Sequence, residues 1–149
     1  MSEKKAEALF RRYSKKLVNK LGRHALDNVE IETYGKNTFQ GKWKGCFAQD
    51  EKFDLKAGYY IINNDVSSGP GEHWVAMVIT PKTVYIYDSF ARDTKKLLKH
   101  LTKRFSGKRI VNADRKDTEQ KISEIICGHL SLSFLHVAQD LGIQSAKTI

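Results

Sequence analysis

Cys127, followed at once by Gly128, opens an apolar run that continues to Leu141. A thiol attacks only as its thiolate, and the first turn of a buried helix favours that form through the positive end of the helix dipole. His73 stands between a Gly69-Pro70-Gly71 loop and the apolar run Trp74–Ile79, where a side chain can project from a rigid edge into a cleft. Asp88 follows a second apolar run, Val84-Tyr85-Ile86-Tyr87. If the two runs form a hairpin, His73 faces Asp88, and a carboxylate there holds the imidazole in the tautomer a base needs. Gln120 precedes Cys127 in a polar stretch. Its amide can donate to a developing oxyanion together with the backbone N–H of Cys127. Nucleophile, base, orienting acid and oxyanion donor are the parts of acyl transfer through a thioester. The plainer alternatives are an inert core cysteine at position 127 and a core aromatic, rather than a cleft wall, at Trp74.

The elements that must position these groups are legible around them. Leu9, Tyr13, Leu17 and Leu21 recur at helical spacing over about residues 3–21, with lysines and arginines on the other face and Gly22 as the stop. Residues 27–56, punctuated by Gly35, Gly41 and Gly45, read as irregular structure with short strands. Strands are predicted over Tyr59–Ile62, Trp74–Ile79, Val84–Tyr87 and Arg109–Val111. Between the last two, Asp93 or Thr94 caps a predicted helix with Leu97, Leu98, Leu101 and Phe105 on one stripe, ended by Gly107. Residues 112–120 read as a loop, and the Cys127–Leu141 run as a central packed helix. The expected fold class is α+β: a small, mainly antiparallel sheet packed against the Cys127 helix, with the N-terminal helix covering another side. One domain is expected over residues 1–149, since the sequence shows no repeat, linker or low-complexity segment.

Composition narrows the setting. No run approaches the length of a membrane span, and the charged N-terminus lacks the apolar core of a secretory signal, so the expectation is a protein that is neither secreted nor membrane-bound. Two cysteines, Cys46 and Cys127, are too few for a disulfide scaffold and are expected to be free thiols. No metal spacing joins His24, His100, His129 or His136, and no cofactor is expected. The formal charge is +9, with basic side chains gathered in residues 4–23 and 92–121. Such a field attracts polyanions. Lys96, Lys99, Lys103 and Arg104 are therefore candidate contacts to DNA, bound without regard to sequence and serving as an activator. The plainer reading is that these charges only keep the protein soluble.

His73-Trp74, the acid in Asp88-Ser89-Phe90, and Gln120 separated by six residues from Cys127-Gly128 together resemble the adenovirus protease (adenain) family. The same order, His, acid, Gln, Cys, is found in the related proteases specific for SUMO and other ubiquitin-like proteins. The glutamine spacing here is closer to the adenain side, and short forms of this kind occur in virophages and in polinton (maverick) elements. The resemblance covers about residues 39–141 and extends to Tyr59–Asn64 and Gly45-Cys46-Phe47. It implies a cysteine endopeptidase in which Cys127 attacks, His73 is the base, Asp88 orients it and Gln120 serves the oxyanion, with Trp74 and Gly128 beside the substrate cleft. It further implies a monomer that cleaves viral capsid or core precursors at glycine-containing sites, in the virion and in the cytoplasm or virus factory of an infected cell. Family members commonly carry Glu where this chain has Asp88, a change that keeps the role. Adenain is assisted by a viral peptide joined to a cysteine between the acid and the glutamine; residues 89–119 contain no cysteine here, and Cys46 lies elsewhere. The rival readings are an isopeptidase acting on SUMO or another ubiquitin-like protein, and a basic nucleic-acid-binding module with no enzymatic activity.

Overall fold

Successive side chains of a strand point to opposite faces of its sheet, so a strand covered on both sides is apolar throughout. That is the pattern of Gly58–Asn63 (β2), Trp74–Ile79 (β3) and Thr83–Tyr87 (β4). The computed structural model of the protein describes residues 2–69, 73–113 and 125–149. In it β2, β3 and β4 pair antiparallel, with Tyr60 opposite Met77 and Ala76 opposite Tyr87. Trp43–Ala48 (β1) and Arg109–Asn112 (β5) extend the sheet at its two edges, each parallel to its neighbour, giving the order β1-β2-β3-β4-β5.

One face of the sheet, with Ile61, Ala76, Val78 and Tyr87, packs under Cys127–Leu141 (α5). The helix is apolar almost all round because it is covered all round: every residue from Cys127 to Ala138 is buried. Phe134 stacks on Tyr87 with ring centroids 5.0 Å apart, and the Ser131 hydroxyl donates to the Trp74 carbonyl at 3.1 Å. These contacts lock the start of α5 to the start of β3. The fold is thus α+β with a central helix packed on the sheet, as the sequence predicts. The helix Ser2–Leu21 (α1), expected to cover another side, lies on the same face as α5 and buries Ala6, Phe10 and Leu17 against it. Gly22, at φ 89°, ends α1 where a glycine was expected. No helix among the described residues is long and apolar enough to cross a membrane.

Two segments differ from the sequence reading. Asn28–Phe39 is a helix (α2), not irregular chain; Asp27 accepts from the Glu30 N–H at 2.8 Å while the Glu30 carboxylate accepts from the Asp27 N–H at 3.1 Å, a reciprocal cap. On the opposite sheet face, the single helix expected near residues 94–105 is two one-turn pieces, Thr94–Leu97 (α3) and Lys99–Thr102 (α4). The buried amide of Gln49 enters the gap: its Nε2 donates to the Leu97 carbonyl at 2.9 Å and its Oε1 accepts from the His100 N–H at 3.1 Å. A side chain inserted into a helical ladder breaks it. Leu98, Leu101 and Phe105 still cover β2–β4 as the predicted stripe required.

Around α5, one buried group has a consequence for stability. His136 is stacked on Tyr13 at 4.1 Å, shares a 2.6 Å hydrogen bond with the Tyr34 hydroxyl, and packs against Phe39. Burial, aided by the nearby Lys16 and Lys20 charges and only partly offset by Asp140, pushes its imidazole down to about 4. The unfolded chain protonates His136 near 6.5, whereas the folded protein resists protonation until about 4. Stability is therefore lost as pH falls through that window. From this group alone the protein is expected to be about 2 kcal/mol less stable at pH 5 than at pH 7. Urea unfolding at the two pH values checks this, and His136→Phe, which keeps a ring against Tyr13 but cannot titrate, is expected to flatten the difference.

Candidate active site

Among the described residues, each candidate side chain sits at an element end. His73 immediately precedes β3, and its carbonyl accepts from the Asn64 N–H at 2.9 Å, one step beyond the Asn63–Trp74 pair. The histidine is thereby held by the sheet ladder rather than left on a free loop. Asp88 immediately follows β4. Asp88 is 3% exposed and its neighbour His73 5%, and the His73 Nε2 lies 2.6 Å from Asp88 Oδ1. The hairpin placement expected from the sequence therefore brings the two together.

Cys127 is the first residue of α5. It sits beside His73 as its charge and hydrogen-bonding partner; with Nε2 taken by Asp88, Nδ1 is the ring nitrogen left for the sulfur. The residue before it, Ile126, has no polar atom with which to cap the helix, so no Ile126 side-chain bond competes for the first N–H groups of α5. That end of the helix favours negative charge. Burial works against a thiolate at Cys127, but the hydrogen bond and charge of His73 and the Trp74 and Gly128 backbone N–H groups outweigh it, and the thiol is more acidic than ordinary. Burial likewise opposes a charged imidazole at His73; hydrogen bonds to Asp88 and Cys127 overcome it and raise its basicity. For Asp88, burial is overcome by the bonds from His73 and Arg92, which hold the carboxyl far below the usual carboxylate range. All three shifts favour the same charge state: thiolate, imidazolium and carboxylate in a line.

Gly128 sits close against the Leu26 and Trp74 side chains. A Cβ there would lie 3.2 Å from Leu26 and 3.4 Å from the Trp74 ring, so the glycine lets the start of α5 slide under both. Trp74 is fixed in turn by its indole N–H, which donates to the Leu26 carbonyl at 2.8 Å. Trp74 also lines a cleft of about 480 Å³ with Leu26, Phe47 and Val66. Gly128 underlies this wall rather than lining the cleft. Cys46 lines the same cleft. Burial and the carboxylates of Glu32, Glu51 and Asp27 push its pKa well up, which keeps it a neutral thiol. Both cysteines are free.

Two residues at the site carry no signal in spacing alone. After β4 ends at Tyr87, the turn closed by the Ala91 N–H to Asp88 carbonyl bond brings Phe90 to His73, and the two rings stack at 4.8 Å and 16°. Arg92 donates from Nε to Asp88 Oδ2 at 2.9 Å and lies over the Phe90 ring, 5.1 Å from its centroid. Gln120 lies outside the described residues. Of the candidate DNA contacts, Lys96, Lys99 and Lys103 are exposed. They are divided between α3, α4 and the following turn, not arrayed along one helix. Arg104 is committed locally, donating to the Phe53 carbonyl at 2.7 Å and lying over the Phe53 ring.

No protein-family model matches this chain, and no curated protein matches it in sequence.

Proposed function

We propose that the protein is a cysteine endopeptidase of the adenovirus-protease type, acting on structural precursor polypeptides at glycine-containing sites. The observation that carries this reading is the buried His73 imidazole held between a carboxylate at 2.6 Å and a thiol at the uncapped start of a helix. An inert core cysteine needs neither partner.

The reaction follows from the charge states. The Cys127 thiolate attacks the scissile carbonyl carbon, and the carbonyl electrons move onto oxygen. The backbone N–H of Cys127, with the Gln120 amide, is the proposed donor set for that oxyanion. Collapse expels the amine, which takes its proton from the His73 imidazolium and leaves a thioester. Neutral His73 then removes a proton from water as it attacks the thioester, releasing the carboxylic product and restoring the ion pair. Asp88 keeps the imidazole oriented through both transfers. The cleft beside Trp74 is the proposed seat for substrate residues next to the scissile bond.

A test is to incubate the protein, and its Cys127→Ala variant, with a capsid precursor containing a Gly-Gly site. Mass spectrometry is expected to find a new N-terminus at that site with the wild type only. Fragments in equal amounts with both proteins would overturn the assignment. Preferential processing of a ubiquitin-like protein ending in Gly-Gly would move the activity to the isopeptidase class.

A further inference from the structure

Asp88 is bound more completely than orientation of one imidazole requires. Its Oδ1 accepts from His73 Nε2 at 2.6 Å and from the Phe90 N–H at 3.1 Å. Its Oδ2 accepts from the Arg92 N–H at 3.1 Å and from Arg92 Nε at 2.9 Å. Four donors on one buried carboxylate leave it no freedom to turn. The segment achieves this by wrapping back on itself: the Ala91 N–H donates to the Asp88 carbonyl at 2.9 Å, and Ala91 takes φ 54°. A left-handed alanine is unfavourable by roughly 1 kcal/mol, so the wrap is held by what it binds. The Asp88 side chain is 1% exposed while that of Arg92 is 39% exposed, so the guanidinium stands between the carboxylate and solvent. The same guanidinium lies over the Phe90 ring, which is itself stacked on His73.

We infer that Arg92, acting with Phe90, is a positioning residue of the proposed protease reaction, holding Asp88 by one oxygen and the His73 ring by its face. It touches neither substrate nor the reacting sulfur. The need for it arises in the catalytic cycle. Once His73 gives its Nδ1 proton to the leaving amine, it loses its charge attraction to the thiolate and, in the thioester, its thiol partner. An imidazole free to rotate at that moment would not be aimed at the incoming water. The Phe90 ring against the imidazole plane and a carboxylate pinned by Arg92 keep Nδ1 where Cys127 left it. The inference rests on the protease reading, and its test separates the two.

In Arg92→Ala, kcat is expected to fall roughly 10–100-fold with KM within about twofold, because an aligned base matters to chemistry and not to substrate affinity. N-ethylguanidinium at tens of millimolar is expected to restore part of the loss, whereas sodium chloride at equal ionic strength is not. A merely structural role predicts no such rescue. Phe90→Leu, which keeps bulk but removes the flat ring, is expected to lower kcat in the same sense. Independently of turnover, the His73 Nε2 proton, held 2.6 Å from Asp88, is expected to give a far-downfield proton NMR signal in the wild type that broadens or moves in Arg92→Ala. Unchanged kcat and an unchanged signal would overturn the role of Arg92 while leaving the protease standing. A wild type without turnover, whose signal still responds to Arg92→Ala, would instead overturn the protease reading and the catalytic role of the clamp together.

Discussion

Iodoacetamide is expected to alkylate Cys127 roughly 100-fold or more faster than Cys46 near pH 7, since each unit of thiol pKa changes the thiolate fraction up to tenfold. The comparison is informative because exposure predicts the reverse. Cys127 is 9% exposed, whereas Cys46 is only half-buried in the wall of an open cleft. If access set the rate, Cys46 would react first. Ionisation sets it the other way: His73 and two backbone N–H groups draw Cys127 towards thiolate, and burial among Glu32, Glu51 and Asp27 holds Cys46 protonated. His73→Ala is expected to slow alkylation of Cys127 and leave Cys46 unaffected, which ties the enhanced rate to the imidazole. Cys127→Ala is expected to abolish cleavage while keeping the wild-type circular dichroism, because the side chain contributes little to the core beyond a small apolar volume. Alkylation that is faster at Cys46, together with an active Cys127→Ala protein, would remove Cys127 as nucleophile.

The parts of this site that local sequence could specify are those fixed by strand and helix ends. Trp74–Ile79 is a continuous apolar run and Cys127–Leu141 a largely apolar one, each beginning beside polar chain, so the groups at their starts, His73 and Cys127, are readable as projecting from rigid elements. Asp88 was readable for the same reason at the end of β4. Phe90 and Arg92 were not, because their roles depend on the turn that folds residues 88–92 around the Asp88 carboxylate, and a left-handed alanine at Ala91 has no sequence signature. The miss at α2 has a different cause. Gly35 and the β-branched Thr33 and Thr38 weaken its helical pattern. The glycine is there because a Cβ at position 35 would lie 2.5 Å from the Trp43 indole of β1. The reciprocal Asp27–Glu30 cap was the signal that could have revealed the helix. At the α3–α4 break the deciding residue, Gln49, comes from a distant part of the chain, and no window around Leu98 contains it. Helix periodicity found which leucines face the sheet, but a tertiary side chain decided whether the backbone between them stayed helical.

Asp88→Asn is expected to lower kcat/KM by roughly 100- to 10,000-fold, the range that follows when a histidine is trapped in the wrong tautomer. The argument depends on the four donors. His73 Nε2 and the Phe90 N–H point at one oxygen, and the Arg92 N–H and Nε point at the other. A carboxylate accepts at both ends, but an amide presents NH2 at one of them. If the new NH2 replaces Oδ2, it faces two Arg92 donors and the clamp opens. If it replaces Oδ1, it faces the Phe90 N–H and donates to His73 Nε2, which drives the proton to Nδ1 and leaves that nitrogen unable to accept from Cys127 or from water. Either orientation leaves buried donors facing one another, so the unfolding midpoint is expected to fall as well. The two effects separate by pH. The stability contributed by ionised Asp88 is present above its unfolded pKa of 3.8 and is lost as pH falls below that value towards its lower folded pKa. Wild type and Asp88→Asn are therefore expected to draw steadily closer in stability as pH falls below about 4, while the activity deficit persists across the neutral range. Asp88→Glu restores an acceptor at both ends and is expected to recover more activity than Asp88→Asn. An Asn variant with wild-type kcat/KM would mean that His73 needs no fixed partner, and the assignment of Asp88 as the orienting acid would fall.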